Sequence, residues 1–204
     1  MAHAPLPLEN LSDYQAELRT DLLRVALRDG WDRVLMTLGW IHLVFFAVHQ
    51  WAAMALNAKW PHLTLWPLEL VLVLALLNVM LGKGWTKTSP LIGILTRVWA
   101  TSLIIGFNAV TLNGMTGLGF RWYFLVWAGL ATFGFATTAW LCGIRFLIPA
   151  VLMYFVGLAM VPMINWSFLM IGVAWWAILQ GIGLSLRRER QRRPDLVEAN
   201  PGDS

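Results

Sequence analysis

Between residues 34 and 186 the chain is a succession of long apolar runs, separated only by short polar stretches. About 20 apolar residues in a helix cross the hydrocarbon core of a bilayer. Inside that core every backbone N–H and C=O must be satisfied within the segment, which leaves the helix as the natural solution for such runs. They predict spanning helices over 34–57, 64–82, 91–112, 122–142, 145–162 and 165–186. Two tight breaks decide the number: "CGIR" ahead of the fifth helix and "VPMIN" ahead of the sixth. Hydrophobic residues make up 58% of the chain and charged residues 13%, against about 25% charged in a soluble domain. The expected fold class is all-α, a polytopic integral membrane bundle of six transmembrane helices preceded by an N-terminal amphipathic helix.

Three regions follow. Residues 1–33 are a polar segment with no basic stretch leading into an apolar one, so no cleaved signal peptide is expected. Within it, "SDYQAELRTDLLRVALRDG" (12–30) reads as the amphipathic helix. Ser12 and Gln15 match a capping box, and Leu11, Tyr14, Leu18, Leu22 and Val25 recur at helical spacing. Asp13, Glu17, Asp21, Arg24 and Arg28 fall on another face, and Gly30 is the expected stop. Residues 34–186 are the transmembrane domain. Residues 187–204 open as a basic collar (Arg187, Arg188, Arg190, Arg192, Arg193) and turn polar and proline-broken, with disorder expected after about 193.

Charge sets the orientation. Six spans put Arg19, Arg24, Arg28, Arg33, Lys83, Lys87, Arg145 and the five collar arginines on one side, and only Lys59 and Arg121 on the other. Basic residues collect on the cytoplasmic side, so both termini are expected there, in a bacterial inner membrane. Trp60, Trp66, Trp122 and Trp166 fall near the outer boundary and Trp31, Trp85 and Trp140 near the inner one, where amphipathic aromatics settle. The net charge of +4 is therefore explained by topology and lipid contact, and no nucleic-acid partner is expected.

A few polar residues interrupt the apolar runs. His42 and His49 are seven apart, nearly two turns, so they share a face about 10 Å apart along the axis. Gly39 and Ala53 extend that face with small residues that admit a neighbouring helix. Glu69 is the only acid inside a predicted span. With the second helix starting at 64 it lies at the depth of His49. Two readings stand: a Glu69–His49 contact, or a protonated Glu69 reaching to the boundary. Arg97 and Asn108, eleven apart, share a face with Thr101 nearby. That face is expected inside the bundle, with Arg97 extending toward the headgroups. His42, His49, Glu69, Arg97 and Asn108 together form the candidate intramembrane polar site. Asn78 belongs to another interface. Asn165 and Gln180 lie toward opposite ends of the last helix. Ala128, Thr132 and Ala136, beside Gly134, Thr138 and Cys142, form small-residue packing stripes.

Most chemistries lack their residues. One cysteine, Cys142, excludes an internal disulfide and cysteine-cluster metal sites. There is no GxSxG elbow and no HExxH. "GMTGLGF" (114–120) lacks the lysine–serine pair of a phosphate loop. No cofactor or metal is expected. Haem is the second alternative, weakened because two histidines on one helix face do not clasp opposite sides of one macrocycle. A small-solute transporter, or its substrate-binding subunit, is the first alternative. The principal expectation is a non-enzymatic multi-pass membrane subunit that binds lipid, a ligand or a membrane-protein partner, another copy of itself included.

Overall fold

A computed structural model describes residues 9–56, 60–116 and 120–194. Among these residues seven α-helices occur in order, α1 (Glu9–Arg28), α2 (Trp31–Ala55), α3 (Trp60–Leu81), α4 (Pro90–Thr116), α5 (Phe120–Cys142), α6 (Leu147–Met160) and α7 (Ser167–Arg192). No strand occurs among the described residues. Short 3-10 turns precede α4, α6 and α7. Five of the helices, α2, α3, α4, α5 and α7, carry segments long and apolar enough to cross a membrane. At 14 residues, α6 is about 21 Å long, short of the roughly 30 Å core. The 3-10 turns on either side, Ile144–Phe146 and Ile164–Trp166, extend its apolar path.

The helix starts differ from the hydropathy pattern. α2 begins at Trp31, so Asp32 and Arg33 lie in its first turn. α3 begins at Trp60, four residues before the expected start, and carries Pro67 inside it. α7 runs on to Arg192, through most of the basic collar. α1 begins at Glu9, ahead of Ser12, so Ser12 and Gln15 fall inside the helix and not at its start, which corrects the expected capping box. The Lys59 and Arg121 side chains, the Trp60 and Trp122 side chains, residues 117–119 and the tail after Pro194 lie outside the described residues.

The strongest interhelical contact joins α2 to α7, which run antiparallel. Glycines make it close. A Cβ on Gly172 would stand 2.6 Å from the Cβ of Phe46, and one on Gly183 would stand 2.9 Å from the Asp32 carbonyl oxygen. Gly39, on the α2 side, packs against Gln180 and Leu179 as its small size foretold. Where hydrophobicity gives helices no reason to leave lipid for each other, close van der Waals packing is a main driving force. The Ala128 and Gly134 stripes serve the same end: Ala128 meets Gly157 of α6, and Gly134 receives the Trp99 ring of α4.

Large rings fill the centre. Trp66 stacks on Trp127 with centroids 4.4 Å apart and planes 10° off parallel. It belongs to a buried cluster with Phe46, Met160, Phe168 and Ile171. Trp66 is thus turned into the bundle and buried, not set on its lipid-facing surface. Trp31 and Trp85 do meet, edge to face at 5.8 Å, at the end of the bundle where α2 begins.

α1 packs across that same end. It buries Val25, Ala26 and Leu27, while Tyr14 of the expected apolar face is exposed. Arg19 donates from Nε to the Leu141 carbonyl at 3.2 Å and from Nη2 to the Trp140 carbonyl at 3.4 Å. It thereby satisfies orphan carbonyls at the C-terminus of α5.

Candidate functional site

α2 carries the polar centre of the molecule. His42 Nδ1 and Glu69 Oε1 are 2.5 Å apart, a short hydrogen bond that ties α2 to α3. Glu69 is buried, at 3% exposure. Its second oxygen, Oε2, is enclosed without a hydrogen-bond partner among the described residues. The expected pairing of Glu69 with His49 is therefore corrected to His42. The cause is the start of α3: four extra residues at its head carry Glu69 about 6 Å further along α2, past His49. Trp66, one turn earlier on α3, takes the place opposite His49, with ring centroids 5.0 Å apart.

His49 is fully buried. Its ring stacks on Phe168 of α7 at 5.2 Å and 14°, and Phe46 stands 6.2 Å away. The two histidines do share a face, as their spacing requires, but they meet different surroundings. His42 has Trp175 of α7 at 5.5 Å beside its carboxylate partner; His49 lies among rings. Among the described residues no cluster of three metal-ligating side chains forms around them.

Arg97 and Asn108 do not join this site. Both are exposed on α4, which corrects the expectation that their face lies inside the bundle. α4 turns Leu91, Ile92, Ser102 and Gly106 inward instead. Gly106 admits the Trp127 ring so closely that an added Cβ would stand 2.8 Å from it. The small-residue face is the one that packs: it lets the Trp127 ring approach the α4 backbone, while outward placement spares Arg97 the cost of burying a guanidinium. Asn78 is exposed on α3.

Two glutamines contribute more than the sequence suggested. Gln50 Nε2 donates to the Asn165 carbonyl at 2.5 Å, and its Oε1 accepts the Leu169 N–H at 3.3 Å. That N–H is among the first of α7, which lack partners within their own helix. Gln50 therefore closes the head of α7 from the neighbouring helix. At the other end of the seam, Gln180 Nε2 donates to the Met36 carbonyl at 2.8 Å. Nothing in the apolar run around Gln50 marked it; its only sign was a long amide inside a span, where such a group needs a partner.

A second polar cluster lies where α1, α2 and α7 converge. Arg190 donates from Nη1 to Asp32 Oδ1 at 3.1 Å and from Nη2 to the Arg28 carbonyl at 3.4 Å. Asp32 is buried at 5% exposure. Arg28 is paired with Asp29 at 2.8 Å, and the hydrogen bond it donates to that carboxylate holds the Arg28 guanidinium above its ordinary pKa. Within the collar, Arg190 thus has a structural partner, while Arg187, Arg188, Arg192 and Arg193 are exposed.

No family model matches the sequence, and neither the curated proteins nor the solved structures show a match. The helical, apolar architecture is that of a multi-pass membrane protein.

Proposed function

We propose that the chain is a non-enzymatic membrane subunit, a six-span bundle with both termini cytoplasmic in a bacterial inner membrane, whose business is to hold lipid or a membrane partner. The observation that carries this reading is the use made of its intramembrane polar groups. Glu69 is taken by His42, Gln50 by the head of α7 and Gln180 by the Met36 carbonyl. Each ties one element to another. A solute pathway or a reaction centre would aim such groups at a shared space. The antiparallel α2–α7 seam supports an even number of spans, with α6 and its flanking turns as the short one. The basic side supports the orientation.

Native mass spectrometry of the protein in nanodiscs drawn from its own membrane tests the reading. Retained phospholipid, with no stoichiometric small solute and no Soret absorption, is the expected result. A one-to-one solute or a haem spectrum would overturn it. Orientation is read separately, by labelling single cysteines in a Cys142→Ser background. Sites near 116 and 164 should react from outside intact cells and a site near 86 should not. External reaction at 86 would reverse the assignment.

A further inference from the structure

We propose that the junction of α1, α2 and α7 is a binding site for the phosphate of an anionic phospholipid. The proposal rests on the membrane-subunit reading for one thing only, the placing of this end of the bundle at the lipid surface. Two adjoining cavities lie here, about 240 Å³ and about 300 Å³, and Arg33 and Arg190 line both. Arg190 is fixed in place by Asp32 and the Arg28 carbonyl. The side chains of Arg33 and Arg187 have no hydrogen-bond or ion-pair partner among the described residues. Two guanidinium groups are therefore uncommitted at the rim of a cavity whose third arginine is already held.

Guanidinium groups present paired donors that match the oxygens of a phosphate. The cavity walls are not polar throughout: Met36 borders the first cavity, and Val34 and Met80 border the second. Basic groups beside apolar ones fit an amphiphile better than a free anion. The level is also right. Trp31, directly before Asp32 and Arg33, meets Trp85, and tryptophans of this kind settle at the headgroup boundary. Arg187 follows the last apolar residue of α7, Leu186. Basic pockets between helices at that depth suit acidic headgroups.

The test compares phosphatidylglycerol with phosphatidylcholine by native mass spectrometry of the detergent-purified full chain. The wild-type protein should hold phosphatidylglycerol about tenfold or more tighter. Arg33→Gln with Arg187→Gln should abolish most of that preference. Arg192→Gln with Arg193→Gln removes the same charge outside the cavity and should leave it nearly intact. Arg187→Lys, which keeps the charge but loses the paired donors, should fall between. Equal losses in the two double variants, or none in either, would overturn the site in favour of a diffuse basic collar. Inorganic phosphate that competes as well as the lipid would overturn the lipid assignment and make the ligand a free phosphate. Carbonate-resistant membrane association of every variant reports on the membrane reading independently of the site.

Discussion

Along α7, helix α2 is met by glycines; along α3 it is met by side chains. The first interface brings backbones close, with Gly172 and Gly183 leaving no room for a Cβ, Gly39 tight against Gln180 and Leu179, and glutamines closing the seam near its ends. The second is built from rings, leucines and one histidine–carboxyl pair, with Trp66 and Glu69 on one turn of α3 and Val73 and Leu77 further along. α3 presents most of its remaining surface outward, including Leu68, Val71, Leu74 and Val79. In lipid, apolar side chains gain little by leaving the acyl chains. The α2–α7 seam therefore has steric specificity of its own, whereas the register of α3 depends heavily on a few contacts, the His42–Glu69 pair among them.

The largest effect should come from closing the seam's gap. Gly172→Ala puts a methyl 2.6 Å from Phe46 Cβ, which cannot swing away as a side-chain tip can. Overpacking of this kind costs about 1–3 kcal/mol, measurable by reversible unfolding in mixed detergent. An unchanged stability would mean that the two helices stand further apart than described. Gln50→Leu comes next. It strips the Asn165 carbonyl and the Leu169 N–H of their partner, for a loss of about 1–2 kcal/mol and faster hydrogen exchange at the head of α7. Exchange confined to its resting rate there would show that water or another group already serves those atoms.

Arg19→Gln should have a smaller effect, about 0.5–1.5 kcal/mol for the lost charged hydrogen bonds, discounted for their partial exposure. Exchange should quicken across α1 and leave the seam unaltered. Loss of seam protection as well would make α1 part of the core and not a cover. Asn108→Leu should do least, within about 0.5 kcal/mol, because Asn108 is exposed on α4. A loss above 1 kcal/mol would place it in a contact after all.

Much of this was legible in the sequence, and the misses have physical causes. The apolar runs marked the bundle because hydrocarbon demands them, and Gly39 marked the α7 contact because only a small residue lets a helix so near. The partner of Glu69 was misplaced by one feature: Trp60 to Leu63 sit among polar residues and prolines and read as loop, yet belong to α3. A four-residue slip moves Glu69 about 6 Å along α2, past His49 and within reach of His42. Arg97 and Asn108 were placed inside because polar groups in a span usually seek protein. That rule lost to the Trp127 ring packed on Gly106. Asp32 was hidden by a boundary, having been assigned to the segment before the first span, although Arg190 reaches it from 158 residues away in sequence.

The Glu69 assignment is the centre of this account, and a pair of double-mutant cycles tests it most directly. Stabilities of His42→Ala, His49→Ala, Glu69→Gln and the two double variants would be measured in detergent. Interhelical hydrogen bonds in membrane proteins average about 0.6 kcal/mol and reach about 1.7, and this short one on a buried carboxyl should lie toward the upper figure. The cycle through His42 should therefore show a coupling of about 1 kcal/mol or more, with the double variant costing clearly less than the two singles together. The cycle through His49 should be close to additive. Coupling through His49 with additivity through His42 would contradict the register of α3 and, with it, the fold of this half of the bundle.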